Sequence, residues 1–308
     1  MEPTELYKVK SHTRVKEGAM YLVEPLFLAV TQVTTQNTAG ATLTNATGFF
    51  YEVNENLFLI TNRHVVLSEE NNHRPTSLVI DLHIDPDNIA ATTNFLIPLY
   101  KNNKPTWRET SDSAGLVDIV AIPLQRELLP ETVVLEAFSP NHLVQPLDRI
   151  EAGTSLLIVG FPLGFHDALH HLPVARQAVI ASAFGIRFQG NGYFLTDARL
   201  HRGTSGAPVV TAIPSFRKQV GNLSWMLLGV HAARLDVGQP DLTQDERLGL
   251  NCAWYADTVM RLTAPLPVEK VAQVDGGQKP ASTSNPPPPP AKINPPRTVQ
   301  QDSMQIRF

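Results

Sequence analysis

From about residue 20 to residue 260 the chain is a succession of short apolar runs rich in β-branched and aromatic residues. Examples are "LFLAVTQV", "GFFYEV", "LFLITN", "SLVIDLHI", "DIVAIPL", "SLLIVGF", "QAVIASAF", "GYFLTDA", "APVVTAI" and "WMLLGVHA". Turn residues punctuate them, as in "NEN", "DPDN" and "QGNG". Sustained helical periodicity is scarce, so the pattern predicts an all-β fold of many short strands. Two short helices are expected, one after His64 and one around "ADTVMRL" near the end. The runs fall into two groups, about 20–125 and about 145–255, bridged by the polar, proline-marked "QRELLPETVVLEAFSPNHLVQPLD". Two β-barrels joined by a linker are the economical arrangement.

Composition narrows the function. Of 308 residues, 25 are Lys or Arg and 29 are Asp or Glu, and the net charge of −4 argues against a nucleic-acid partner. Cys252 is the single cysteine, so no internal disulfide forms, which fits a reducing, cytoplasmic setting. The N-terminal extension, residues 1–19, is charged and lacks a signal-peptide core. No apolar run is long enough to span a bilayer. From Pro265 onward lie ten of the chain's 25 prolines. The segment 263–308 is therefore expected to be a disordered, solvated tail, extended as polyproline II over Pro286–Pro290. The alternative for it is a docking peptide for a proline-recognising partner.

The candidate chemistry begins with "RGTSGAPV", where Ser205 sits between Gly203 and Gly206. Closely spaced glycines suit a tight turn that raises the hydroxyl, although such a turn by itself is more often structural. Upstream, "FLITNRHVV" ends an apolar strand at His64, where a rigid scaffold meets a cleft. In "GLVDIVAIPL", Asp118 opens a strongly apolar strand and needs a hydrogen-bond donor if it is buried. The chain order His64, Asp118, Ser205 is that of chymotrypsin-type enzymes. The elbow G-x-S-x-G fails, because Ala207 holds its last position.

Together "TGFFYEVNENLFLITNRHVV", "DIVAIPL", "VGFPLGF" and "TDARLHRGTSGAPVV" resemble the trypsin-like peptidase domain of bacterial proteases, relatives of the HtrA type. The resemblance spans roughly residues 20–262, without a following PDZ-like domain. It implies two six-stranded antiparallel barrels of the chymotrypsin type, with the site between them and no cofactor or metal. It implies a serine endopeptidase in which Ser205 is the nucleophile, His64 the base and Asp118 the orienting acid. The amides of Gly203 and Ser205 would form the oxyanion hole, and a protein or peptide is the expected substrate. Thr204 stands where digestive members carry an activating aspartate, so that zymogen route is not expected.

For specificity, "GVH" ending at His231 resembles glutamyl endopeptidases and picornaviral proteases, in which the histidine reads a P1 glutamate or glutamine. Leu200 departs from the Ser or Thr found there, while Arg199 offers a positive charge beside the pocket. Ala232, Ala233 and Arg234 would pair with substrate backbone as an added strand. His166, Asp167, His170 and His171 are read as a surface loop rather than a metal site, and Cys252 as a buried hydrophobe. Two other functions compete: a catalytically silent scaffold of the same fold using its proline-rich tail, and an esterase or acyl-transfer enzyme.

Overall fold

The computed structural model describes residues 23–146, 148–215, 217, 221–234 and 249–265. The N-terminal extension and nearly all of the proline-rich segment lie outside these residues, and with them any docking role of the tail. Contacts divide the chain into Met1–Pro265 and Leu266–Phe308, and the description concerns the first.

Twelve principal strands form two antiparallel sheets of six. The first contains β1 (Val30–Gln36), β2 (Thr42–Val53), β3 (Asn56–Thr61), β4 (Ser77–His83), β5 (Thr92–Pro98) and β6 (Val120–Leu124), in the order β6-β3-β2-β1-β4-β5. The second contains β7 (Ser155–Gly160), β8 (Val174–Val179), β9 (Tyr193–Thr196), β10 (Pro208–Ala212), β11 (Trp225–Arg234) and β12 (Asn251–Tyr255), in the order β8-β7-β10-β11-β12-β9. Both orders are cuts of one cycle: first, second, third, sixth, fifth, fourth. The first sheet opens between its fifth and sixth strands. The second opens between its second and third, where a single bridge pairs Ile180 with Thr196. Each sheet is thus a curled half-barrel, and the all-β expectation of two six-stranded units holds.

The continuous apolar runs have a structural reason: both faces of the central strands are buried. In β3, Leu57 and Leu59 fill the first half-barrel, while Phe58 and Ile60 pack into the seam between the two. In β11, Met226 and Leu228 fill the second half-barrel, while Leu227 and Val230 join the same seam. β5, an edge strand paired only with β4 and mostly half-buried or exposed, was not among the apolar runs singled out.

Two local expectations need correction. "LFLAVTQV" is not one strand, since Pro25–Leu28 forms a helical turn, α1, before β1. Pro25 presets the first helical φ there, and Leu26 and Leu28 are both buried. The bridging segment is less a polar linker than a buried strap. Val134, Phe138, His142 and Leu143 are all buried, Phe138 exchanges backbone bonds with Phe50 and Glu52, and Leu143 bridges to Leu227. The helices expected after His64 and near the end are α2 (Arg63–Val66) and α3 (Asp257–Thr263). Arg108 donates to the carbonyls of Leu262 and Ala264, holding the end of α3 on the first half-barrel.

Candidate active site

His64 lies on the single turn of α2, directly after β3, and Asp118 lies two residues before β6, the neighbour of β3. The Asp118 carboxylate meets His64 twice. One oxygen accepts the His64 amide at 2.9 Å, and the other meets imidazole Nδ1 at 2.7 Å. A carboxylate oxygen accepts, so Nδ1 is the donor in this pair. The buried Asn62 side chain donates to the Asp118 carbonyl at 2.6 Å, bracketing the aspartate from its backbone.

Ser205 lies in the turn before β10. Gly203 and Gly206 there have φ of +94° and +87°. A β-carbon on Gly203 would strike the Phe161 carbonyl, and one on Gly206 would strike the Thr47 carbonyl. Left-handed backbone and close approach both demand glycine at these positions. Amide use alternates along the turn. Thr204 donates to His201, Gly206 to His231 and Ala207 to Thr204. Among the described residues the amides of Gly203 and Ser205 have no protein acceptor. The Ser205 hydroxyl donates to the Ala232 carbonyl at 3.1 Å.

Thr47, buried in β2, ties the two halves of the site together. Its amide donates to the Ser205 carbonyl at 2.9 Å, and its carbonyl accepts the Thr61 hydroxyl at 2.8 Å. Its hydroxyl donates to the Gly203 carbonyl at 2.7 Å and accepts the Phe161 amide at 3.1 Å. Thr47 therefore joins the end of β3, just before His64, to the Ser205 turn and to Phe161. Sequence reasoning missed Thr47, Thr61 and Asn62 as functional residues. They stood inside the quoted motifs, but a polar residue at a strand end looks like turn chemistry until its partner is known.

The specificity candidates separate. His231 is buried in β11, one residue before Ala232, and its backbone exchanges bonds with Gly206 and Ala207. Ala233 and Arg234 continue β11 opposite Cys252 and Asn251. Leu200 is buried in the second half-barrel, whereas Arg199 is exposed, its carbonyl accepting a bond from Arg176. In the loop after β7, His170 pairs with Asp167 at 2.7 Å, and His171 faces Asp81 at 3.4 Å. His166 Nδ1 meets the Gly164 carbonyl at 2.7 Å. Among the described residues no three such groups converge as a metal site. Burial pushes the Cys252 thiol up to about 11, away from thiolate chemistry.

Two like-folded half-barrels with a His–Asp pair on one and a glycine-held serine turn on the other define a chymotrypsin-type hydrolase architecture. The sequence profile of the trypsin-like peptidase domain matches residues 46–213, more than half of the chain, and the chain belongs to that family. The matched span contains His64, Asp118 and Ser205 and ends just after β10. Among solved structures, the chain is similar to the active form of the Rv3671c protease from M. tuberculosis at 16% identity. That match covers 80% of this chain and 87% of the other, with a TM-score of 0.43. The inactive form of the same protease, a serine-to-alanine mutant, matches at 16% identity over 79% and 93% of the two chains, with a TM-score of 0.39. No curated protein matches the chain. No helix among the described residues is long and apolar enough to cross a membrane.

Proposed function

We propose that this peptidase domain is a serine endopeptidase working through an acyl-enzyme, with Ser205 as nucleophile, His64 as general base and Asp118 as orienting acid. The observation that carries the reading is the pattern of amides around Ser205. The two amides left without a protein acceptor flank Thr204, whose own amide is engaged, beside a hydroxyl that glycine geometry raises from the turn. Such donors stabilise the oxyanion that forms when a carbonyl is attacked, and each is worth about 3 kcal/mol at the transition state.

The steps are those a serine peptidase would take here. Rotation about the Ser205 side chain turns the hydroxyl from the Ala232 carbonyl toward His64, a tightening that substrate binding commonly completes. As Ser205 Oγ bonds to the scissile carbonyl carbon, His64 Nε2 takes its proton, and the carbonyl electrons move onto the oxygen held by the Gly203 and Ser205 amides. Asp118 stabilises the imidazolium through Nδ1–H. Collapse expels the amine, which receives the proton from His64. Water, deprotonated by His64, then releases the acid and restores Ser205.

The backbone of Ala232, Ala233 and Arg234 is the edge on which a substrate strand would lie. His231 beneath it supports a preference for glutamate or glutamine at P1. The exposed Arg199 would offer a positive charge to an acidic P1 side chain. The single cysteine supports a cytoplasmic location. Labelling by a fluorophosphonate tests the whole reading: adduct at Ser205, lost in His64→Ala, is expected. Peptide cleavage that survives Ser205→Ala would overturn it.

A further inference from the structure

Three polar side chains on the inner face of the second half-barrel are buried and have an atom without a hydrogen-bond partner: Nδ1 of His231, Oδ1 of Asn251 and Oγ1 of Thr196. They are 3%, 1% and 0% exposed. The strand register brings them together. His231 pairs with Ala253 on β12, Asn251 lies two residues from Ala253 on the same face, and Thr196 of β9 pairs directly with Asn251. Ala253 and its partner Phe194 belong to the second half-barrel's core, which fixes the face as the inner one.

Burying a polar atom without a partner is costly, and natural folds seldom leave three together. Two of the three are tied to the segment that carries Ser205. His231 precedes Ala232, whose carbonyl holds the Ser205 hydroxyl. Asn251 grips the Ala198 carbonyl at 2.5 Å and the Gly249 carbonyl at 3.2 Å, securing the segment that leads to Ser205. Those two carbonyls also settle the amide's orientation: both need a donor, so the nitrogen faces them and the oxygen is left as an acceptor. Burial, and secondarily the charge of His64, push the His231 imidazole down to about 3, so at neutral pH it meets a ligand uncharged.

We propose that His231, Asn251 and Thr196 together read the P1 side chain and select glutamine over glutamate. The inference rests on the peptidase reading above. A glutamine side chain has one acceptor and two donors. Its oxygen accepts from the His231 ring or the Thr196 hydroxyl, and its amide hydrogens go to the Asn251 oxygen. A glutamate carboxylate would set a negative charge against that oxygen in a buried site with no cation among the three. Sites built on such buried polar pairing reject the mismatched analogue strongly.

The test compares two peptides differing only at P1, glutamine against glutamate, with the full-length chain near pH 7, alongside fluorophosphonate labelling of the same preparation. Cleavage after glutamine is expected to exceed that after glutamate in kcat/KM by at least about tenfold. That ratio should collapse toward one in Asn251→Ala and in His231→Val. Equal or better cleavage after glutamate, or cleavage confined to Lys, Arg or aromatic P1, with Ser205 still labelled, overturns this inference and leaves the peptidase reading standing. Absence of both labelling and cleavage defeats the two together. The wild-type ratio decides the matter even if either variant fails to fold.

Discussion

The two half-barrels share one cyclic strand order but treat their polar groups differently. In the first, the His64–Asp118 pair is complete: carboxylate, ring nitrogen and backbone amide satisfy one another, and the Asn62 nitrogen braces the aspartate, although Asn62 Oδ1 and the Tyr51 hydroxyl are themselves buried without a partner. In the second, the Gly203 and Ser205 amides have no protein acceptor among the described residues, and His231, Asn251 and Thr196 each keep an unmatched buried atom. The lesson concerns timing. On the proposed function, the pair that would move a proton is oriented before substrate arrives, whereas the groups that would hold substrate are left open for it, at a cost in stability.

The sharpest way to break the comparison is to remove chemistry from either side. Ser205→Ala and His64→Ala are each expected to lower kcat by at least about 10⁴-fold, with little change in the thermal midpoint. Asp118→Asn should cost about as much, because it disturbs the tautomer while leaving the fold intact. Single-turnover assays on a cleaved peptide measure all three. Gly206→Ala probes the second half's backbone instead. A β-carbon at φ +87° facing the Thr47 carbonyl and Thr61 hydroxyl should destabilise the fold by at least about 3 kcal/mol in urea titrations.

Acid sharpens the contrast more gently. The His231 imidazole, depressed from 6.5 to about 3, stays neutral in the fold while the unfolded chain takes up a proton. Its contribution is therefore present above pH 6.5 and is lost as pH falls from there toward 3. By pH 5 the loss from this one group is about 2 kcal/mol. His83 is also depressed, mainly by burial, and adds in the same direction. Urea midpoints at pH 7 and pH 5 check this, and His231→Gln should narrow the gap. Smallest of all is Thr47→Val, which keeps the shape and deletes the hydroxyl between Gly203 and Phe161. It should cost about 1–2 kcal/mol of stability and lower kcat more than it alters KM, and Thr47→Ser should restore kcat. An unchanged kcat would confine Thr47 to a structural part.

Much of the architecture was legible before any coordinates. The apolar runs placed most strands, and "TNRH" and "GTSGAP" marked His64 and Ser205 because glycine spacing and strand ends leave local traces. The β5 strand was passed over although it carries the apolar run Phe95-Leu96-Ile97, of which only Ile97 is buried. So was α1, where one proline redirects an otherwise strand-like run. The segment 125–148 read as a linker because its polar residues hid the inward positions of Val134, Phe138 and Leu143.

What the chain determined alone was whatever depends on neighbours in sequence: strand periodicity, turn glycines and the motifs that carry the candidate nucleophile and base. What only the tertiary structure decided depends on partners far away in sequence. Thr47 acquires its function from Ser205, Gly203 and Phe161, and Asn251 acquires its acceptor from Ala198 and Gly249, which use up its donors. A hydrogen bond is directional and short, so no periodicity along the chain announces it before the two half-barrels close on each other.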